Sequence, residues 1–266
     1  MADDAKMPFL AHLAELRQRL LWSVAAIGVG FVLTFSLSGR LLQLLQRPLK
    51  VELTLQRQWP FILGRQKPSP PDLIFTAPAE AFWAHLKVAL LSGLMVALPI
   101  MLWQVWRFVE PGLLPKERRF ALPFVILSTI FFALGMAFCF VLVLPYAMTF
   151  LLSFDPNLKP MLKVGEYIDF TVKFLLAFGA IFELPLAITI AARLGMVTPQ
   201  FLSRNRKYAI LLCFVASAIL TPTPDVFNQT LMAVPMYLLY EVGILAARLI
   251  EKARRKAAVA EAAGEA

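Results

Sequence analysis

The chain has 266 residues, of which 59% are hydrophobic and only 16% are charged, and its mean hydropathy is +0.71. Soluble domains are typically about 45–50% apolar and about 25% charged. The formal net charge of +9 does not indicate a nucleic-acid partner, because the lysines and arginines stand in short clusters between apolar runs. The composition therefore excludes an ordinary soluble domain and predicts an all-α integral membrane protein embedded in a lipid bilayer.

The chain begins with an amphipathic segment. Residues 8–19 carry leucines at helical spacing, which predicts a short helix lying at the membrane interface. Within it, Glu15 and Arg19 have the i,i+4 spacing of a helical ion pair. Acidic residues precede the first apolar run and no small-residue cleavage site follows it, so we expect a mature span rather than a signal peptide.

Apolar runs then predict about six transmembrane helices. The basic stretch Arg40–Asp72 is too polar to span and is expected to be an extramembrane loop. The last two apolar runs are short, because twelve residues give about 18 Å of helix against a hydrocarbon core of about 30 Å. Such a pair either spans a thinned bilayer or forms a re-entrant hairpin. The predicted spans lie near residues 20–37, 81–106, 120–150, 170–192, 208–220 and 228–247.

Residues 1–250 are expected to form one membrane domain and residues 251–266 a cytoplasmic tail. Sixteen lysines and arginines fall on the segments that share a side with the N-terminus, against eight on the opposite side. This balance favours cytoplasmic termini by the positive-inside rule. Prolines inside the spans favour bent helices and a curved, cup-like bundle; these are Pro99, Pro123, Pro145, Pro185 and Pro235.

Enzyme chemistry has little support in the sequence. His12 and His85 cannot build a three-ligand zinc site alone, and no phosphate-binding glycine motif for ATP is present. A membrane serine protease would need a serine facing His85, and the sequence singles out none. We therefore expect no metal, no cofactor and no enzymatic activity.

Glu183 is the most informative charge, because it lies mid-span with about ten apolar residues on either side. A carboxyl at that depth costs about 2.5–3.5 kcal/mol on insertion scales, so it usually faces a protein interior or a functional surface. It is either a protonated side chain bonded to a neighbouring helix, or a polar docking site for a partner's transmembrane helix. In a third interpretation, the chain is a small-solute transporter with Glu183 as its ion site, although no inverted repeat supports it.

Glu15 and Glu117 are two further carboxylates in basic surroundings. Each is either one half of a surface ion pair, worth under about 1 kcal/mol, or an anionic point that receives a cationic peptide.

Five motifs follow one another along the chain, namely His12–Arg17 (HLAELR), Gln104–Gly112 (QVWRFVEPG), Glu117–Arg119 (ERR), Phe182–Pro185 (FELP) and Thr221–Thr230 (TPTPDVFNQT). Together with Pro48, and in this order, they resemble the TatC family of the twin-arginine protein translocase. The resemblance extends from about residue 8 to residue 250 and departs from the family mainly in a basic insertion at 57–71.

This resemblance implies a six-span, cup-shaped receptor in a prokaryotic cytoplasmic membrane, with both termini in the cytoplasm. It would recognise twin-arginine signal peptides on folded cargo proteins and self-associate within a larger complex. Its partners would be the single-span proteins TatA and TatB, and the proton-motive force would drive export.

The resemblance also assigns roles to residues. Glu15 and Glu117 would bind the two signal guanidiniums, since arginine–carboxylate pairing is directional and lysine cannot reproduce it. Their basic neighbours Arg17, Arg118 and Arg119 would hold these carboxylates ionised and aimed. The remaining motif positions are expected to be structural, namely Pro48, Phe108, Pro111, Pro185, Asp225 and Gln229.

Overall fold

A computed structural model describes residues 9–55, 62–66, 71–109, 121–155, 157, 159–221 and 225–264. These residues are mainly helical, as the composition predicts. Their α-helices are, in chain order, α1 Phe9–Phe35, α2 Ser38–Leu45, α3 Arg47–Lys50, α4 Glu80–Val109, α5 Ala121–Phe138, α6 Leu144–Leu152, α7 Val164–Phe182, α8 Leu184–Arg193, α9 Pro199–Arg204, α10 Arg206–Leu220 and α11 Val226–Gly264.

The stretch predicted to be a loop, Arg40–Asp72, contains regular structure. Most of α2 and all of α3 lie within it, followed by strands β1 (Val51–Leu55) and β2 (Ile62–Gln66). The two strands pair antiparallel, with Val51 opposite Gln66 and Leu55 opposite Ile62. A two-residue strand β3 (Leu73–Ile74) pairs parallel with β4 (Leu162–Lys163). These elements were missed because each is too short to produce a clear hydrophobic period.

Five helical stretches among the described residues are long and apolar enough to cross a membrane. Their exposed faces are apolar, with Val32 70% exposed and Leu249 63% exposed. In water such faces would be costly, whereas a bilayer is an apolar solvent for them. The stretches are Leu13–Phe35, Glu80–Phe108, Ala121–Leu152, Val164–Arg193 and Val226–Ala253.

The first helix differs from the sequence prediction. The amphipathic segment 8–19 and the span 20–37 were expected to be separate, but α1 is one continuous helix from Phe9 to Phe35. No proline occurs between these residues and no glycine occurs before Gly28, so nothing interrupts the backbone hydrogen bonds. The amphipathic segment is therefore the first part of the membrane helix itself.

Two spans are interrupted near a proline. A π-helical segment, Cys139–Val143, separates α5 from α6 just before Pro145. The fourth span begins earlier than predicted, at Val164, and breaks at Glu183, two residues before Pro185. Proline lacks a backbone N–H and leaves the carbonyl four residues earlier without its helical donor, which explains both positions.

The two terminal spans differ in length. Helix α10 has 15 residues, about 22 Å at the helical rise, and is short as predicted. Helix α11 has 39 residues and is longer than the ten-residue apolar run suggested. The run was counted as ending at Glu241, but this carboxylate is paired with Arg206 and Tyr237, so the helix continues through it.

The chain folds as two compact units, residues 1–44 with 76–130 and residues 45–75 with 131–266. In the first unit α1 packs along α4, and the helices cross where Gly30 meets Gly93. A Cβ atom on Gly93 would lie 2.5 Å from the Phe31 nitrogen. Beside this crossing the Thr34 hydroxyl donates to the carbonyl oxygen of Ala89 at 2.8 Å. The two backbones can approach this closely only because both crossing residues lack side chains.

The second unit has an aromatic core on α7. Phe174 and Phe178 are both fully buried. Gly179 lies under the ring of Phe132, whose nearest atoms would be 2.6 Å from an added Cβ. The buried Tyr167 hydroxyl donates to the Leu45 carbonyl at 2.5 Å, which holds Leu45 against α7.

The helix crossing in the first unit yields a stability prediction. We expect Gly30→Ala to lower the free energy of unfolding by about 1–3 kcal/mol, because the new methyl group meets the Gly93 backbone and separates the helices. Gly28→Ala is the matched control, since nothing lies within 4 Å of its added Cβ. Thermal unfolding of the purified protein in detergent measures both. Equal melting temperatures for the two variants would contradict the role assigned to the crossing.

Candidate functional site

The first turns of α1 carry an ion pair that contacts α4. Arg19 Nη2 lies 3.1 Å from Glu15 Oε1, one helical turn away. The other terminal nitrogen, Nη1, donates to Gln104 Oε1 on α4 at 3.3 Å. These three side chains form what we name the Glu15–Arg19–Gln104 network. It holds a carboxylate in a defined position between two membrane helices of the first unit.

The network is partly withdrawn from solvent and has unused bonding capacity. The Glu15 side chain is 19% exposed and the Arg19 side chain 26%. Glu15 Oε2 and Arg19 Nε are buried, and neither has a hydrogen-bond partner among the described residues. A carboxylate can accept up to about four hydrogen bonds. Glu15 Oε2 is therefore an unused acceptor, covered in the empty protein, for one further N–H donor.

Neither Arg17 nor the second predicted carboxylate, Glu117, is part of this network as the structure describes it. Arg17 is exposed on α1, and among the described residues the cation paired with Glu15 is Arg19. Glu117 lies outside the described residues, as do its neighbours Pro111, Arg118 and Arg119.

Sequence reasoning did not select Arg19 or Gln104 as site residues. Arg19 had been noted only as a helical partner of Glu15, and Gln104 only as a letter in a motif. The spacing could suggest the first, since i,i+4 residues share a helix face. The contact with Gln104 could not be found this way, because 85 residues separate it from Arg19.

The end of α4 around Phe108 is packed by aromatic side chains. Trp106 is 5% exposed, and its ring centroid lies 4.7 Å from that of Phe124 on α5. Phe108 follows two residues after Trp106 and is partly exposed. In the second unit Pro48 is buried at the start of α3, where its missing N–H costs no helical hydrogen bond. Both motif positions therefore lie at helix ends.

Glu183 lies at the junction of α7 and α8. Its N–H bonds the Ala180 carbonyl at 3.1 Å, while its own carbonyl accepts from Ala187 at 2.9 Å. The next turn contains the buried Pro185, whose carbonyl accepts the Thr189 hydroxyl at 2.6 Å. Glu183 itself is partly exposed. The carboxyl thus occupies a backbone break inside a span, as the sequence predicts.

The motif that ends in Asp225 builds the start of α11. Asp225 Oδ1 accepts the backbone N–H of Asn228 at 2.7 Å, and Oδ2 accepts its side-chain amide at 2.9 Å. Asn228 is fully buried. An aspartate before the first helical residue satisfies N–H groups that have no helical acceptor. Asp225 is therefore the N-cap of the last helix.

Gln229 joins α11 to α10. Its side-chain amide donates to the Phe214 carbonyl at 3.0 Å, and its own carbonyl accepts the Ser217 hydroxyl at 2.6 Å. Thr221 donates to the Ser217 carbonyl at 2.8 Å. Polar side chains thereby satisfy backbone carbonyls of the two helices, as an apolar solvent demands.

A second ion pair occurs in α10 and α11. Arg206 Nε lies 2.8 Å from Glu241 Oε1, and the Tyr237 hydroxyl donates to the same carboxylate at 2.8 Å. The Tyr240 hydroxyl donates to the Leu202 carbonyl at 2.9 Å. This cluster was not predicted, because Glu241 had been taken as the end of an apolar run.

The protease interpretation can now be weighed directly. Ser38 faces His85, with Oγ 3.2 Å from Nδ1. Among the described residues no carboxylate bonds the second ring nitrogen, so the pair lacks the group that orients a catalytic histidine. The contact instead joins the start of α2 to α4 within the first unit. Among all the residues that the structure describes, no three His, Cys, Asp or Glu side chains are placed to hold a metal ion.

Comparison with known proteins identifies the family. The family model described as "Sec-independent protein translocase protein (TatC)" matches residues 11–235. A TatC from Desulforapulum autotrophicum is 43% identical over 251 residues, covering 94% of this chain and 87% of the relative. One from Carboxydothermus hydrogenoformans is 39% identical over 250 residues, covering 94% and 96% of the two chains.

Solved structures agree. The crystal structure of a twin-arginine translocase receptor, TatC, matches 90% of this chain and 98% of its own, with a TM-score of 0.73 and 35% identity. A structure of that receptor in DDM matches with a TM-score of 0.75 and 35% identity. Each agreement extends across nearly the whole chain. This chain therefore belongs to the TatC family of Sec-independent protein translocases, multi-pass transport proteins of the cytoplasmic membrane rather than enzymes.

Proposed function

We propose that this protein is the receptor for twin-arginine signal peptides and that Glu15 accepts one of the two signal arginines. The observation that carries the proposal is the position of the Glu15 carboxylate, which is held at the α1–α4 contact with Oε2 buried and unpartnered among the described residues. The site supplies what a guanidinium requires, namely an oriented anionic acceptor with little surrounding water.

Residue chemistry explains why the signal carries arginine rather than lysine. A guanidinium is planar and offers five N–H donors in a fixed fork, whereas an ammonium is a compact, strongly hydrated charge. The Glu15 carboxylate already bonds Arg19 through Oε1, so an incoming cation must bond the remaining oxygen, Oε2. Directional bonding of this kind favours arginine.

Glu117 is proposed to receive the second signal arginine, with Arg118 and Arg119 helping to orient its carboxylate, and Arg17 is proposed to add positive charge near Glu15, whose paired cation is Arg19. This assignment rests on the match of these residues to the family motif. Two carboxylates would match the paired arginines of the signal in number and charge.

Transport is proposed to proceed with TatA- and TatB-type single-span partners, in a self-associated complex driven by the proton-motive force. Both termini are proposed to be cytoplasmic, which the distribution of lysines and arginines supports. Glu183 is proposed to dock a partner's transmembrane helix. Its location at a break between α7 and α8 supports this role, because a polar group inside a span is costly unless it serves an interaction.

Signal recognition is tested at the two carboxylates. We expect Glu15→Ala or Glu117→Ala to weaken binding of a synthetic twin-arginine peptide by about ten- to a hundred-fold, since a charge-assisted hydrogen bond contributes about 1.5–3 kcal/mol. Calorimetric titration of the purified protein in detergent measures the affinity. Replacing the peptide's arginines by lysines should cost the wild type more than the double variant.

Glu251→Ala is a control for loss of a carboxylate, because Glu251 lies far along α11 and bonds Gln200. It should leave peptide affinity unchanged. Wild-type affinity in both the Glu15 and Glu117 variants would place the site elsewhere.

Topology is tested by impermeant thiol reagents on intact cells. Gln66→Cys and Asp225→Cys, each made singly, should label from outside if both termini are cytoplasmic. The native thiols Cys139 and Cys213 are buried and should contribute little background. Labelling at residue 66 without labelling at residue 225 would instead favour a re-entrant hairpin for the last two helices.

The Glu183 proposal is tested by two substitutions. Glu183→Gln keeps size and hydrogen bonding and should retain much of the transport activity. Glu183→Ala should abolish crosslinking to the single-span partner while still binding the signal peptide. If the glutamine variant is as inactive as the alanine variant, proton exchange is required, and the transporter interpretation is favoured. A lower melting temperature with normal transport would mean that Glu183 is only structural.

A further inference from the structure

We propose that Arg19 is an internal competitor for the signal peptide: its guanidinium occupies Glu15 in the empty receptor and withdraws onto Gln104 when a signal arginine arrives. The inference deepens the proposed function and rests on it, since it assumes that Glu15 binds a signal arginine. It assigns to Arg19 and Gln104 a role in setting the affinity and the selectivity of the receptor.

The first argument is the geometry of the resident pair. A bidentate arginine–carboxylate pair makes two parallel N–H···O bonds. Here Arg19 divides its terminal nitrogens, with Nη2 bonding Glu15 at 3.1 Å and Nη1 bonding Gln104 at 3.3 Å. The 3.1 Å distance lies near the long end of the usual range of about 2.7–3.2 Å, and the 3.3 Å distance lies beyond it. The resident arginine is therefore held by two single hydrogen bonds to different partners rather than by one bidentate pair.

The second argument is the set of unused atoms. Glu15 Oε2 and Arg19 Nε are both buried, and neither is hydrogen-bonded within the part of the chain that the structure describes. An incoming guanidinium can bond Oε2 once the side chains that cover this atom shift, while Arg19 still holds Oε1. It can then replace Arg19 at Oε1 and complete a bidentate pair. The exchange passes through no state in which the Glu15 carboxylate lacks a cation.

The third argument is that Gln104, the acceptor that retains Arg19, is held in place by contacts that do not involve Glu15. Gln104 belongs to α4, and α4 is held against α1 by the Gly30–Gly93 crossing and the bond from Thr34 to Ala89. All of these residues lie in the first unit. Gln104 therefore stays in place when Glu15 exchanges its partner, and the displaced guanidinium keeps one hydrogen bond.

Competition of this kind also creates selectivity. A signal arginine can replace the single N–H donor that the carboxylate receives from Arg19 and can add a second, whereas a lysine offers a point charge with no fixed pair of donors. Lysine must therefore displace Arg19 while forming a poorer contact. Removing the competitor should help both peptides, and it should help the lysine peptide more.

The test measures Kd for a synthetic twin-arginine peptide and its twin-lysine counterpart, with the full-length protein in detergent. We expect Arg19→Gln to bind the arginine peptide about ten-fold more tightly, equivalent to about 1.4 kcal/mol, and to show a smaller arginine-over-lysine ratio. Gln104→Leu should weaken arginine-peptide binding, because Arg19 then loses its second acceptor and stays on Glu15. In the Arg19→Gln background, Gln104→Leu should have no effect, which completes a double-mutant cycle.

Controls separate competition from charge and folding effects. Arg204→Gln removes one exposed positive charge from α9, outside the Glu15–Arg19–Gln104 network, and should leave the arginine-over-lysine ratio unchanged. Arg19→Lys keeps the charge but cannot bridge both partners as a fork, so its affinity should lie between wild type and Arg19→Gln. It serves as the second variant should Arg19→Gln fail to fold.

Two outcomes distinguish the hypotheses. If Arg19→Gln, or Arg19→Lys in its place, binds the arginine peptide no better than wild type, Arg19 merely positions Glu15 and the competitor role is overturned. If Glu15→Gln binds both peptides as wild type does, the proposed signal site itself is wrong. Tighter binding by Arg19→Gln together with weaker binding by Glu15→Gln supports both.

Discussion

A hydrocarbon solvent offers no hydrogen bonds, and the arrangement of this protein depends on that constraint. Every polar group placed at membrane depth needs a partner from the protein itself. The Gln229 amide and the Ser217 hydroxyl meet this need by bonding carbonyls of α10 and α11. Glu241, whose side chain is 30% exposed, is paired with Arg206 and Tyr237. Hydropathy alone would place the end of a predicted span at such polar residues. In this protein their side chains instead connect one helix to another.

The same constraint explains where functional groups can occur. A carboxylate is tolerated beside a membrane helix if a cation accompanies it, and Arg19 accompanies Glu15 one turn away. That cation also makes the site exchangeable, because one guanidinium can substitute for another with little change in local charge. Stability of the empty site and affinity for a cationic peptide thus arise from a single ion pair.

Proline and glycine shape the frame that carries these groups. Pro145 and Pro185 lie next to a π-helical segment and a helix break, respectively, and the second break presents Glu183. Gly30 and Gly93 bring helices together instead of breaking them. Because they lack side chains, α1 and α4 approach closely enough for Arg19 to reach Gln104. Backbone features therefore decide which polar side chains meet.

The sequence by itself determined that this is a helical membrane protein, because apolar runs of span length have no other stable use. It also selected Glu15 and Glu183, since isolated carboxylates among apolar or basic residues are rare, and the ordered motifs identified the family. Only the tertiary structure decided that α1 is continuous, that Glu241 lies within a helix, and that Gln104 joins Glu15 through Arg19. Periodicity and hydropathy describe one helix at a time, whereas these features depend on which residue of a distant helix supplies the compensating hydrogen bond.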